Sequence, residues 1–313
     1  MAAKAGDVMS GHQEHNISDQ ASPADQSGGS NLPYTESERI KVVVWGQSRR
    51  VFPRFVHHGC GIGCSYCYID GPADPPVYLN DEEVETWLRQ IPEGPSVTVS
   101  LASDTEPFLT ARSIDIAERY LRACQQRMVN VQISTKCQLP KSTLALLDQW
   151  QSPQRPVVFT TITSVELAAR LEPGAVSPAL RAVNFQGHSD SWRSVALVKP
   201  LLHLSITDRH EVAALLADAS PDAVVLGVRY WRAHGAELAD ESLLRHPCDP
   251  RWVGVTPSDR DLELVGALSV PGRPIFMNTE CVVDYFNHNG SGRQIFERYN
   301  QLCTHCGVCE GGG

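Results

Sequence analysis

Three cysteines close together constrain this chain more than any other feature. Cys60, Cys64 and Cys67 stand at the spacing C-x3-C-x2-C, with Gly59, Gly61 and Gly63 around the first two and Tyr66 immediately before the third. A glycine-rich loop can take turns that a Cβ forbids, so it can curl three thiolates around one face of an iron–sulfur cube. Three ligands leave the fourth iron without a protein thiolate, open to the amino and carboxylate groups of a small molecule. The same cysteines with His57 or His58 would also satisfy a zinc knuckle. Zinc sites more often pair C-x2-C with a second pair far downstream, and they do not need this density of glycine.

Ten cysteines in 313 residues are too many to ignore and too dispersed for a small disulfide scaffold. Met1 to Asp25 has no apolar segment of the secretory kind, and the sequence has no run of about 18 apolar residues, the length of a membrane span. The expectation is a reducing, cytoplasmic setting in which the clustered cysteines are metal ligands and Cys124 and Cys137 are packing residues. The net charge of −9 argues against a dedicated nucleic-acid binder.

Residues 1–37 are rich in Ser, Gly, Asp, Gln and Ala and read as a disordered leader. Val42–Trp45 and Arg50–Val56 read as strands, the second leading into the cysteine loop. Asn80 is the expected N-cap of a helix whose first turn holds Asp81, Glu82 and Glu83. From Ser96 the chain alternates apolar β-branched runs (96–102, 129–134, 156–163, 195–198, 223–228) with amphipathic helices (110–127, 142–150, 164–171, 178–186, 209–219), the last capped by Asp208. That alternation predicts parallel strands covered by helices. With the strand before the cysteine loop there are six, which suits an α/β fold of the partial (β/α)6 TIM-like type. In such folds chemistry sits at the C-terminal ends of the strands, where the cysteine loop also falls. The expected division is 1–37 leader, 38–255 core and 256–313 C-terminal extension.

The cysteine motif, including its aromatic residue, resembles the signature of the radical S-adenosylmethionine (SAM) superfamily. Segments after later strands resemble its spore photoproduct lyase-like branch: Leu101-Ala102-Ser103-Asp104-Thr105-Glu106-Pro107, then Ile133-Ser134-Thr135-Lys136, then Thr160-Thr161-Ile162-Thr163-Ser164, then Ala168 to Pro178. The resemblance covers roughly residues 50–230. It implies a [4Fe–4S] cluster on Cys60, Cys64 and Cys67 that binds and cleaves SAM to a 5′-deoxyadenosyl radical, which abstracts hydrogen from a substrate. It also implies cofactor contacts from Tyr66, from Ser103 and Asp104 at the methionine end, from Lys136 to the carboxylate, and from Thr161, Thr163 or Ser164 to the ribose. A flavodoxin or ferredoxin would supply the electron. Arg170 and Glu172 read as a helix-end ion pair, and Lys199-Pro200 and Arg229-Tyr230 as strand-end substrate contacts.

The chain departs from that branch in its acidity and in its end. Cys303, Cys306 and Cys309 follow C-x2-C-x2-C, which resembles ferredoxin-type ligation. With Cys281 as fourth ligand, and Cys248 or His305 as competitors, they suit a second, auxiliary [4Fe–4S] cluster; zinc is the alternative. The reading is a radical SAM enzyme acting on a natural-product intermediate or a peptide, with no membrane. Its rivals are nucleic-acid lesion repair of the photoproduct lyase type and a non-enzymatic zinc-binding module.

Overall fold

The computed structural model describes residues 42–45, 48–67, 71–102, 105–186, 190–200, 205–227, 230–232, 234, 237, 240, 244–246, 249–254 and 259–287. Its strands are β1 (Val42–Trp45), β2 (Ser48–Val51), β3 (Val56–His58), β4 (Val77–Tyr78), β5 (Val97–Leu101), β6 (Asn130–Thr135), β7 (Val157–Thr161), β8 (Arg193–Val198), β9 (Ala223–Leu226), β10 (Tyr230–Arg232), β11 (Leu244–His246), β12 (Asp249–Gly254) and β13 (Ile275–Phe276). Its α-helices are α1 (Asp81–Gln90), α2 (Ala111–Arg127), α3 (Lys141–Asp148), α4 (Ala168–Leu171), α5 (Pro178–Ala182), α6 (Ile206–Ala219), α7 (Asp259–Leu268) and α8 (Thr279–Asn287).

The main sheet runs β1-β2-β5-β6-β7-β8-β9-β13. Only β1 is antiparallel to its neighbour; the other seven strands are parallel. The β-branched runs are buried on both faces because helices cover one and a second apolar layer covers the other. On the helix-covered face Val97, Val99, Leu101, Val131 and Ile133 pack with Val84 and Trp87 of α1 and with Ile116, Tyr120 and Leu121 of α2. Further along, Ala196, Val198, Val224 and Leu226 pack with Val212 and Leu216 of α6 and Leu264 and Leu268 of α7. The inner face carries the alternate residues Phe159, Val195, Leu197, Val225 and Phe276, under Val282 and Val283 of α8.

Helix α8 fixes the depth of that inner face. Near its start Glu280 pairs with Arg50 of β2. At its end Asn287 accepts from the Arg155 backbone N–H at 2.7 Å, just before β7 begins. The helix therefore runs back against the strands from their C-terminal ends, and its apolar side fills the lower part of the inner face.

Several boundaries differ from those read in the sequence. Arg50–Val56 is not one strand: pairing in the sheet ends at Val51, and Val56–His58 joins Val77–Tyr78 in a separate two-stranded ribbon that brackets the cysteine loop. Pro53, between them, has no N–H for a ladder. The sheet also takes a seventh parallel strand beyond residue 255, from Ile275–Phe276 against Val224 and Val225. Two residues are too few to show a period. Helix α1 starts as expected at Asn80, with a full capping box to Glu83. Helix α6 is capped by Ser205 rather than Asp208, whose carboxylate turns to another segment. Cys124 and Cys137 are buried in the core. Among the described residues no helix is long and apolar enough to cross a membrane.

Candidate active site

The cysteine loop leaves the C-terminal end of β2 and is held on three sides by backbone. Cys60 N–H donates to Asp74 O at 3.2 Å, Gly63 N–H to Pro72 O at 2.9 Å and Ser65 N–H to Leu171 O at 2.9 Å. Gly59, Gly61 and Gly63 all have φ between +71° and +81°. Gly174 comes so close beneath the loop that a Cβ there would lie 2.4 Å from Gly61 O and 2.8 Å from Ile62 Cα. A side chain at that position would push the loop off its seat.

Cys60 and Cys64 form one apolar patch with Ile62, flanked by Cys67, Tyr66, Leu109 and Ala175. Burial pushes the Cys60 thiol up and drives Cys64 to about 12, against the pull of the Lys136 charge. The protein alone does not hold these groups as thiolates; a cation at the loop would. Among the described residues no three Cys, His, Asp or Glu side chains close on a single metal ion. Three thiols gathered in one glycine-turned loop are the donor set that one face of a [4Fe–4S] cube takes. His57, one of the two histidines that a zinc knuckle could use, instead meets Glu83 at 3.2 Å on the surface.

Behind the loop lies a buried polar chain. The Tyr66 hydroxyl donates to Glu172 and lies 3.3 Å from Thr163 Oγ1. Glu172 pairs with Arg181 at 2.5 Å, and Arg181 also donates to Thr161 O at 2.9 Å. The expected Arg170–Glu172 pair is thus replaced by Glu172–Arg181. Its two members come from neighbouring turns whose approach is set by the loop between α4 and α5, and spacing alone does not reveal it.

A second buried acid organises the end of β6. Glu106 accepts from Thr135 Oγ1 at 2.5 Å, from Lys136 N–H at 2.7 Å and from Phe108 N–H at 3.3 Å. Desolvation nonetheless raises its pKa. Lys136, fixed through its backbone, extends its amine over the Tyr66 ring at 5.9 Å, a cation–π contact.

Of the expected site residues, Cys60, Cys64, Cys67, Tyr66, Lys136 and Thr163 therefore converge at one end of the sheet. Thr161 is buried at the end of β7. Ser164 commits its hydroxyl to Asp208 at 2.5 Å and also accepts from Leu167 N–H at 2.8 Å, as part of the turn before α4. Cys281 lies in the first turn of α8, partly buried against the inner apolar layer. Ser103, Asp104, Cys248, Cys303, His305, Cys306, Cys309 and Arg229 lie outside the described residues. Glu106, Arg181 and Asp208 were not foreseen. Glu106 had a signal, a carboxylate just past a strand end inside a motif already singled out; the other two had none. A surface cleft of about 410 Å³ lined by Pro221, Asp222, Pro271 and Arg273 opens at the opposite, N-terminal end of β9 and β13, away from these groups.

Comparison of the structure with solved proteins finds 21 matching chains. A spore photoproduct lyase variant with bound AdoMet and dinucleoside spore photoproduct aligns over 77% of this chain and 80% of its own, at 13% identity and a TM-score of 0.53. The chain has the fold of spore photoproduct lyase. That bears out the α/β, TIM-like partial barrel expected from the sequence. Weaker likenesses are SuiB of Streptococcus suis (TM-score 0.48, 15% identity, 78% of this chain and 52% of that one) and methylornithine synthase PylB (0.45, 15%, 82% and 71%). No family model and no curated protein matches the sequence.

Proposed function

We propose that this chain is a radical SAM enzyme, taking hydrogen from a natural-product intermediate or a peptide. The observation that carries the reading is the gathering of three cysteine thiols in one glycine-turned, apolar loop at the C-terminal end of the sheet. When bound, a [4Fe–4S] cube on Cys60, Cys64 and Cys67 supplies an electron and an iron with no protein ligand.

The chain's own residues do the positioning. Lys136 offers a point charge for the SAM carboxylate, and Glu106 holds the backbone from which it extends. Tyr66 and Thr163, tied to Glu172, present a polar wall, with Thr161 beside it, for the ribose. Ser103 and Asp104 are assigned to the methionine end by resemblance. A flavodoxin or ferredoxin is the expected electron donor. Cys281, Cys303, Cys306 and Cys309 are assigned a second [4Fe–4S] cluster. Nucleic acid is not carried over as a partner, because a net charge of −9 opposes a polyanion.

Iron and sulfide per chain after anaerobic reconstitution test both metal assignments. About eight irons falling to about four in a Cys303/Cys306/Cys309→Ala variant support two cubes. About four in both proteins would remove the auxiliary cluster. Zinc with no iron would overturn the reading as a whole.

A further inference from the structure

One buried acid serves a segment other than its own. Ser205-Ile206-Thr207-Asp208 opens α6 with the spacing of a capping box, in which the fourth residue's carboxylate reaches back to the N-cap N–H. Only half of that box forms: Ser205 Oγ accepts from Asp208 N–H at 3.0 Å. The carboxylate leaves its helix. It accepts from Ser164 Oγ at 2.5 Å, from Val165 N–H at 2.8 Å and from Glu166 N–H at 3.1 Å. Ser164 Oγ in turn accepts from Leu167 N–H at 2.8 Å. Asp208 is fully buried, and among the described residues no cation pairs with it. A buried acid without a counter-ion is costly unless donors take up its oxygens. Here those donors all come from one turn, directly after Thr163.

That turn begins the segment on which the cysteine loop is seated. From Ser164 the chain passes through the single turn of α4 to Leu171, whose carbonyl accepts from Ser65 N–H at 2.9 Å. It goes on to Gly174, whose N–H donates to Ile62 O at 2.8 Å. Between these two, Glu172 accepts from Tyr66. The peptide that joins the turn to the seat is closed on itself: Leu171 N–H donates to Leu167 O at 2.9 Å, and Glu172 N–H to Ala168 O at 2.8 Å. The segment is thus pinned twice, by Asp208 at its start and by Arg181 at Glu172. A shift at Ser164 is carried through one hydrogen-bonded turn to the atoms that hold Ser65 and Ile62. Gly174 leaves no slack there, since it already lies against the Gly61 and Ile62 backbone.

We propose that Asp208 is a positioning residue for the cysteine loop, acting through the segment 164–174 and not through contact with a thiol. Hydrogen bonds to an ionised acceptor are the strong ones, and three of them end on this carboxylate. Ser164 belongs to the same device: its hydrogen goes to Asp208, which leaves none for a ribose oxygen. The cluster that the loop would carry rests on the radical SAM reading; the hold on the loop does not.

The test follows iodoacetamide labelling of the full chain, cysteine by cysteine, by mass spectrometry before reconstitution, and iron release to a ferrous chelator after it. Cys60 and Cys64 are buried in the loop, while Cys124, buried in α2, reports loosening of the whole core. Asp208→Asn keeps the side chain's size but gives up one of the two carboxylate oxygens. It is expected to label Cys60 and Cys64 severalfold faster with Cys124 unchanged, and to release iron severalfold faster. If that variant does not fold, Ser164→Ala decides, with the same changes at smaller size, because it leaves both N–H bonds to Asp208 in place. Unchanged labelling at Cys60 and Cys64, a rise matched at Cys124, or unchanged iron release overturns the proposal. A wild-type chain that takes up no iron counts against the cluster reading, and the labelling alone then decides the hold on the loop.

Discussion

Glu172 and Arg181 meet at 2.5 Å with only 1% of either side chain exposed. Glu172 is also the acceptor for Tyr66, the residue before the last cysteine, and Arg181 holds the carbonyl at the end of β7. One buried ion pair therefore ties the cysteine loop to the strand ends. Removing one member leaves an uncompensated buried charge, which costs about 3–5 kcal/mol. Glu172→Gln and Arg181→Met should each lower the denaturation midpoint, and the Glu172→Leu/Arg181→Met double variant should lose less than the sum. Additive losses would mean that the two residues act separately.

Gly174 gives a test of the loop's seat with the thiols untouched. Gly174→Ala puts a methyl against Gly61 O and Ile62 Cα, both backbone. Overpacking of this kind costs about 1–3 kcal/mol, and here it falls on the cysteine loop. Reconstituted iron should drop although all three cysteines remain. The control is Gly266→Ala in α7, where nothing lies within 4 Å of the new methyl. It should gain about 0.5–1 kcal/mol and keep its iron.

Glu106 satisfies the Lys136 and Phe108 N–H groups at once. Glu106→Ala leaves buried donors without an acceptor, at about 1–3 kcal/mol each. Because Lys136 hangs from that backbone, SAM affinity should fall by about tenfold, comparable to the loss of one charged hydrogen bond. Equilibrium binding of SAM to the reconstituted protein checks this; unchanged affinity would detach Glu106 from the cofactor site.

Lys199 makes a prediction with a definite sign. Its folded pKa of about 8 lies below the ordinary 10.5. Between those values the unfolded chain binds the extra proton, so this residue's contribution to stability rises with pH across that window. The stability difference between the native protein and Lys199→Met should therefore move in favour of the native protein from pH 8 to pH 10. A flat difference would show that the amine titrates normally. Acetylation should report the same midpoint, near 8, for Lys199.

The sheet was legible because buried parallel strands are written as short runs rich in β-branched residues, as in Val97–Leu101 and Val157–Thr161, and because Asn80 and Glu83 spell out a helix start. The last strand was not, since Ile275–Phe276 is too short to carry a pattern. The cysteine loop announced itself through local spacing. The groups behind it did not: Glu106, Arg181 and Asp208 act across 29, 9 and 44 residues of sequence. Lys199 was visible as a strand-end cation, but its contact with Gly227 was not, since that glycine follows the neighbouring strand β9.

The central claim is tested most directly by incubating the anaerobically reconstituted, dithionite-reduced protein with SAM and measuring 5′-deoxyadenosine and methionine. The account predicts that both form in equal amounts, that Cys64→Ala forms neither, and that Lys136→Met forms them only at much higher SAM. A protein that loads iron and yet leaves SAM intact, or that binds zinc in place of iron, would contradict it.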